Sequence, residues 1–425
     1  MQEADSAMLE PTNDCRARFT TLPWLTGSLA GLALSMSGIS MVQALTLEER
    51  QQLDLSPYTV TDPNASYFDI EERIALLRET QNSLLLQHRE ELANYAPSCR
   101  QRLEIPTITE RMRIPGFYPT PEAWELATEP LFKFEDTVSE LAGAYVASGN
   151  TYYAECLVRF LDQWAQDDAL LEFHYHWSQP QAWFSLESMI FAAGMAYSVV
   201  RPTIEGLEEK RERVEDWLNR LASVHMAIEG AESSCCNNHF YRRALYAAMV
   251  GVLTEDDDMF RFGVSAIYSA LHDMTERGAF PLEMERGRRA THYQNYALLY
   301  LVPIMEIVHR QGYDIYEMEI DGGTIHDAVD FGMDILEDPS ELGDLAPAEQ
   351  FTDFLKDDQY FAWMEIYRAR FGESRFDDFL RSMRPIYNRS AGGYLTFYFM
   401  DPDAQEHIVY HEDERQSRAF EGILN

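Results

Sequence analysis

Cys235-Cys236-Asn237-Asn238-His239-Phe240-Tyr241 opens the stretch on which the reading of this chain turns, and Tyr293-Gln294-Asn295-Tyr296 closes it. Between the two ends, residues 240–253 and 258–275 carry apolar side chains at the spacing of amphipathic helices. The short acidic link Glu255-Asp256-Asp257-Asp258 joins them, so the pair reads as an antiparallel helical hairpin. The Asn-Asn-His triplet stands immediately before the first helix, where Asn237 suits the N-cap and Asn238 can share that work. Beyond the hairpin, Pro281-Leu282-Glu283-Met284-Glu285-Arg286 adds a guanidinium and Tyr293 a phenol. A carboxylate binder, a base and an acid are thereby gathered, which is the equipment for taking a proton from a carbon next to a carboxylate.

Working outward, the same periodicity recurs near 123–148, 151–166, 183–199, 207–229, 291–311 and 324–335, with Gly, Asn, Asp or Pro in the turns between. No strand of any length interrupts it. The fold class is therefore all-α, built from stacked antiparallel hairpins; periodicity alone does not separate a closed toroid from a solenoid. Upstream, one amphipathic helix is expected near Ile70–Tyr95. Residues 97–121 follow with five prolines (97, 106, 115, 119 and 121) and read as an irregular ordered loop that also holds Arg111, Arg113, Phe117 and Tyr118.

The 425 residues carry 34 basic and 71 acidic side chains, a net charge of −37. Arg16 and Arg18 precede an uncharged run from Phe19 to Ala44 that ends Val42-Gln43-Ala44, a small-residue cleavage pattern. Residues 1–44 are expected to be a signal peptide, residues 45–425 a single domain, and the protein to be periplasmic or secreted with no membrane span after processing. Removing that leader takes away two Arg and four acids, which leaves 32 basic and 67 acidic residues and a net charge of −35. Such a balance argues against nucleic-acid partners. With Lys133, Lys210 and Lys356 as the only lysines, the surface reads as solvation suited to a salty medium. Of the five cysteines, Cys99, Cys156, Cys235 and Cys236 survive cleavage, an even number that favours disulfides in an exported chain. Free buried thiols and a metal pair with His239 are the alternatives. No second Cys/His cluster has zinc spacing, so neither metal nor cofactor is expected. The acidic link 255–258 lacks the glycine and terminal Glu of a calcium loop and reads as a solvated helix cap. His174-Tyr175-His176-Trp177 reads as loop packing or an aromatic sugar platform.

The ordered set Asn237-Asn238-His239, Gly278-Ala279-Phe280-Pro281-Leu282-Glu283, Arg286 and Tyr293 resembles the mannuronate-specific alginate lyases, polysaccharide lyase family 5. Phe160-Leu161-Asp162-Gln163-Trp164-Ala165 and Arg384-Pro385-Ile386-Tyr387-Asn388-Arg389 resemble further family segments, so the likeness runs from about Cys99 to Phe397. Phe117 and Glu285 stand where the family tends to have Lys. The resemblance implies an incomplete α/α barrel and β-elimination on mannuronate-rich alginate. It also implies disulfides Cys99–Cys156 and Cys235–Cys236. Asn238, His239 and Arg286 would neutralise the substrate carboxylate, and Tyr293 would serve as base and acid. Either Arg286 or a cationic His239 would lower the pKa of Tyr293. Tyr118, on a lid formed by residues 97–121, together with Asn237 and Arg289, would touch the substrate. The expected partner is an acidic polysaccharide and the expected state a monomer. A lyase of another uronic-acid polymer and a non-catalytic polysaccharide-binding relative are the alternatives. A glycoside hydrolase would need two opposed carboxylates, and Glu283 and Glu285 have no evident partner in the sequence.

Overall fold

A computed structural model of the chain describes residues 45–95, 98–116, 119–172, 180–228 and 236–404. The expected signal peptide, the lid residues Phe117 and Tyr118, the cluster 174–177 and Cys235 lie outside the described residues. Sixteen α-helices are found among the described residues. They are α1 Leu47–Gln51, α2 Ile70–Glu79, α3 Ser83–Tyr95, α4 Cys99–Arg102, α5 Pro121–Ser148, α6 Thr151–Gln166, α7 Pro180–Val200 and α8 Glu208–Met226, followed by α9 Asn238–Thr254, α10 Asp257–Asp273, α11 Pro281–Met284, α12 Ala290–Arg310, α13 Ile325–Glu337, α14 Ala362–Phe371, α15 Asp377–Met383 and α16 Leu395–Phe399. The described residues contain no strand, only the isolated bridges Ile320–Gly323 and Asn388–Gly393.

Local chemistry explains most boundaries. α5 begins with Pro121 at its first position and ends at Gly149 in the left-handed region, φ 65°. Asn150 then caps α6 by accepting the Tyr152 N–H, so two long helices meet through two residues. Asp256 caps α10 by accepting the Met259 N–H at 3.0 Å, the cap reading of the acidic link.

The single helix expected over 70–95 is two helices. Thr80 turns extended (φ −58°, ψ 143°), and Asn82 starts α3 by accepting the Leu85 N–H at 3.2 Å. A β-branched residue followed by a capping residue overrides an amphipathic pattern that runs on through the break.

α5, α7, α9, α12, α14 and α16 pack in succession, and α3 closes the ring by touching both α16 and α5. α6, α8, α10 and α13 lie against these as an outer layer. This is the α/α toroid. α7 belongs to the inner layer and is apolar nearly all round; the window Ala182–Thr203 is long and apolar enough to cross a membrane, yet 89% of it is buried inside the fold. α9 touches α7 and α12 of the inner layer and α8 and α10 of the outer one. Its contact with α10 is close because Gly263 has no side chain; a Cβ there would stand 2.5 Å from the Cβ of Ala248. Cys99 and Cys156 form a disulfide that ties the start of α4 to α6 across 57 residues of chain.

Candidate active site

Three helix beginnings converge to make the site. Asn237 is extended and its side-chain oxygen accepts the His239 N–H at 3.1 Å, so α9 starts inside the Asn-Asn-His triplet, with Asn238 and His239 in its first turn. The turn before α11 needs Gly278, at φ 87°, because a Cβ there would stand 2.1 Å from the carbonyl oxygen of Asp327. Gln294 locks that turn to α12. Its Oε1 accepts the Phe280 N–H at 3.0 Å and its Nε2 donates to the Gly278 carbonyl at 2.9 Å.

Glu283 ties the same turn to α9. The side-chain amide of Asn238 donates to both Glu283 carboxylate oxygens, at 3.0 and 2.9 Å, and its backbone N–H donates to Oε1 at 2.7 Å. Both residues are buried. Burial raises the Glu283 carboxyl to about 7, against the hydrogen bonds from Asn238 and the charge of Arg286. The Asn238 amide, expected to help neutralise the substrate carboxylate, also holds a carboxylate 45 residues away in sequence. Glu283, read in the sequence only as a carboxylate without an opposed one, takes three hydrogen bonds from Asn238. It sits inside the Gly-x-Phe-Pro-x-Glu turn, and that placement was the one sequence signal available for it. Gln294, next to Tyr293, carried no signal of its own.

Arg286 follows α11 and is one-third exposed, with Nε 4.0 Å from Glu283 Oε2. Its guanidinium lies over Tyr293, Cζ 4.5 Å from the ring centroid. Tyr293, half-buried in the first turn of α12, also meets Tyr296 edge to face at 6.3 Å. Arg289 sits farther along, 5.8 Å from the ring centroid of Phe351.

The His239 ring packs beside Phe184 (5.4 Å) and Trp183 (6.0 Å). Its Nδ1 is buried without a hydrogen-bond partner among the described residues. Burial first, then the positive charges of Arg286, Arg243 and Arg242, depress its pKa to about 3. The imidazole is therefore neutral at any ordinary pH. This corrects the option of a cationic His239: among the groups proposed to lower the Tyr293 pKa, only Arg286 carries charge.

Four site residues thus come together, His239 and Asn238 at the start of α9, Arg286 between α11 and α12, and Tyr293 in the first turn of α12. Asn237 stands behind them as the cap. Cys236 is disulfide-bonded, with its partner outside the described residues. The gathered Arg286, Arg243 and Arg242 give a strongly acidic protein a local positive field around His239. Among the described residues no three His, Cys, Asp or Glu side chains gather as a metal site.

Fold and site define the class: an α/α-toroid polysaccharide lyase. The sequence pattern of the family described as alginate lyase matches residues 81–342. A polysaccharide lyase of Stenotrophomonas maltophilia is 29% identical over 274 residues, 64% of this chain and 79% of its own. An alginate lyase of Azotobacter chroococcum is 29% identical over 287 residues, 66% of this chain and 76% of its own. The crystal structure of alginate lyase A1-III from Sphingomonas species A1 superposes with a TM-score of 0.73 and 31% identity, covering 82% of this chain and 99% of that one. A His-to-Ala variant of the same enzyme, complexed with a tetrasaccharide, gives 0.72 and 31% over 83% of this chain and 99% of its own. The chain belongs to the alginate lyase family.

Proposed function

We propose that the chain cleaves mannuronate-rich alginate by β-elimination, with Tyr293 as base and acid. The observation that carries this reading is the Arg286–Tyr293 stack, a cation lying directly on the phenol that must lose a proton. A free phenol titrates near 10, and an adjacent fixed positive charge favours its phenolate.

The C5 proton of a uronate becomes removable when charge developing on the neighbouring carboxylate is stabilised by donors fixed in advance. Arg286 offers a two-pronged donor for that carboxylate. Neutral His239 donates one N–H and cannot repel or compete as a second cation. Asn238 holds Glu283 and so keeps α9 and the Arg286 turn in register. In mannuronate the C5 proton and the C4 oxygen lie on one face. Tyr293 takes the proton, the C4–O bond breaks as C4=C5 forms, and the same hydroxyl returns the proton to the leaving oxygen.

Tyr118 and Arg289 are proposed as further substrate contacts and Asn237 as support for the triplet. The likeness to solved complexes of A1-III with a tetrasaccharide supports an oligosaccharide-binding cleft. We read residues 1–44 as an export signal cleaved after Ala44, which puts a monomeric enzyme in the periplasm or outside the cell. The test is ultraviolet absorbance on mannuronate-rich, guluronate-rich and unrelated uronate polymers. A rise on the first alone is expected. A rise on another polymer alone would reassign the substrate, and no rise on any would overturn the reaction.

A further inference from the structure

Leu45 directly follows the cleavage pattern Val42-Gln43-Ala44, and its backbone N–H donates to Asp273 Oδ1 at 2.7 Å. Asp273 is the last residue of α10 and is 2% exposed. Its second oxygen, Oδ2, is buried with no hydrogen-bond partner among the described residues. One amide hydrogen bond is a poor match for a buried carboxylate with four lone-pair sites. The charged groups that act on it are Arg50 and Glu49, and Arg50 is turned onto the face of Phe240, Cζ 3.7 Å from the ring centroid. Burial accordingly raises the Asp273 carboxyl to about 7. The site is built for one more positive charge, at the position of the Leu45 nitrogen.

We propose that hydrolysis of the Ala44–Leu45 peptide bond supplies that charge, and that the freed α-ammonium of Leu45 pairs with Asp273 and braces the turn carrying Asn237, Asn238 and His239. Water adds across the bond, leaving the Ala44 carboxylate and the Leu45 amine, which takes up a proton at neutral pH. An ammonium presents three donors where the amide presented one, so Oδ2 gains a partner. The link to the catalytic turn is short. Asp273, Asn237, Cys236, Tyr241 and Glu283 line one small cavity, and Glu283 holds Asn238. Through Arg50, α1 also rests on Phe240, the residue after His239. Asp273 is in these terms a positioning residue, and the processed N-terminus is part of the active-site framework.

This rests on the export reading above, and the test separates the two. The full chain is exported from a bacterial host, and the first residue of the processed protein is identified by mass spectrometry. A second form carries Ser-Ser inserted between Ala44 and Leu45, so that processing leaves the Leu45 nitrogen an amide. Asp273→Asn and the combination complete a cycle. Wild type is expected to begin at Leu45. The insertion and Asp273→Asn should each lower kcat about tenfold with KM within about twofold, and the combination should be no worse than the worse single form. The insertion alters no buried residue, so it carries the test even if Asp273→Asn fails to fold. A first residue other than Leu45 overturns the cleavage reading and this inference together. A first residue of Leu45, with the insertion matching wild type or the losses simply adding, overturns this inference alone.

Discussion

The guanidinium of Arg286 lies over the ring of Tyr293, Cζ 4.5 Å from the centroid, while its Nε stands 4.0 Å from Glu283 Oε2. One side chain is thus shared between a half-buried phenol and a fully buried carboxylate. Stacking fixes the plane of the fork before substrate arrives, and rigid donors are what stabilise charge that appears only in the transition state.

Tyr293→Phe keeps the ring, and therefore the stacking surface for Arg286, and removes only the hydroxyl. Turnover should fall by about 10³-fold or more, since a positioned acid/base group contributes roughly 10²–10⁴ and here one group does both steps. Substrate binding and the thermal midpoint should stay close to wild type. Initial rates from absorbance of the unsaturated product, beside a binding isotherm on the same polymer, check this. Near-normal turnover would remove Tyr293 from the mechanism.

Arg286→Lys retains the charge but loses both the fork and the plane. An ammonium cannot grip a carboxylate through two parallel hydrogen bonds or lie flat on a phenol. A loss of about 10²-fold in kcat/KM is expected, more from kcat than from KM, because the fork is needed most when the enolate-like charge develops. If Lys restored activity to within a fewfold of wild type, simple charge would suffice and the stacked geometry would be incidental.

His239 should show no imidazole titration between pH 5 and 8, because burial and three arginines hold its pKa at about 3. The sign follows from its depressed folded-state value. The folded chain binds one proton fewer than the unfolded chain between about 3 and 6.5, so this group's contribution to stability is present above about 6.5 and lost as pH falls toward 3. Nitrogen-detected NMR of the ring gives the protonation state directly. A signal that titrates near 6.5 would restore the cationic role.

Much of this was legible in the residues themselves. α6 follows from Asn150 as its cap and from apolar spacing over Thr151–Gln166, and the fold class follows from repeating that pattern. The break at Thr80 escaped notice because the apolar stripe continues across it. The bond between Asn238 and Glu283 spans 45 residues and exists only once α9 and α11 are packed together. The neutrality of His239 is likewise a sum over burial and Arg242, Arg243 and Arg286. Helical spacing places Arg242 and Arg243 three and four residues on, on the same face, but nothing in the sequence placed Arg286 beside them or showed the ring to be buried.

Glu283→Gln tests whether that buried carboxylate positions the site. Its folded-state pKa, about 7, lies above the ordinary 4.5, so between these values the folded chain holds a proton that the unfolded chain has released. The stability this group contributes is full below about 4.5 and is lost as pH rises through about 7. Gln does not titrate. The melting temperature of the variant, relative to wild type, should therefore improve from pH 5 to pH 8. Activity should move the other way. A Gln side chain turns an N–H toward Asn238 and no longer attracts Arg286, so both start to drift and kcat should fall about tenfold or more. Melting curves at the two pH values and rates on the mannuronate polymer read the two effects separately. A stability difference that does not change with pH would show that Glu283 is ionised throughout. Unchanged kcat would show that Asn238 and Arg286 hold their places without it.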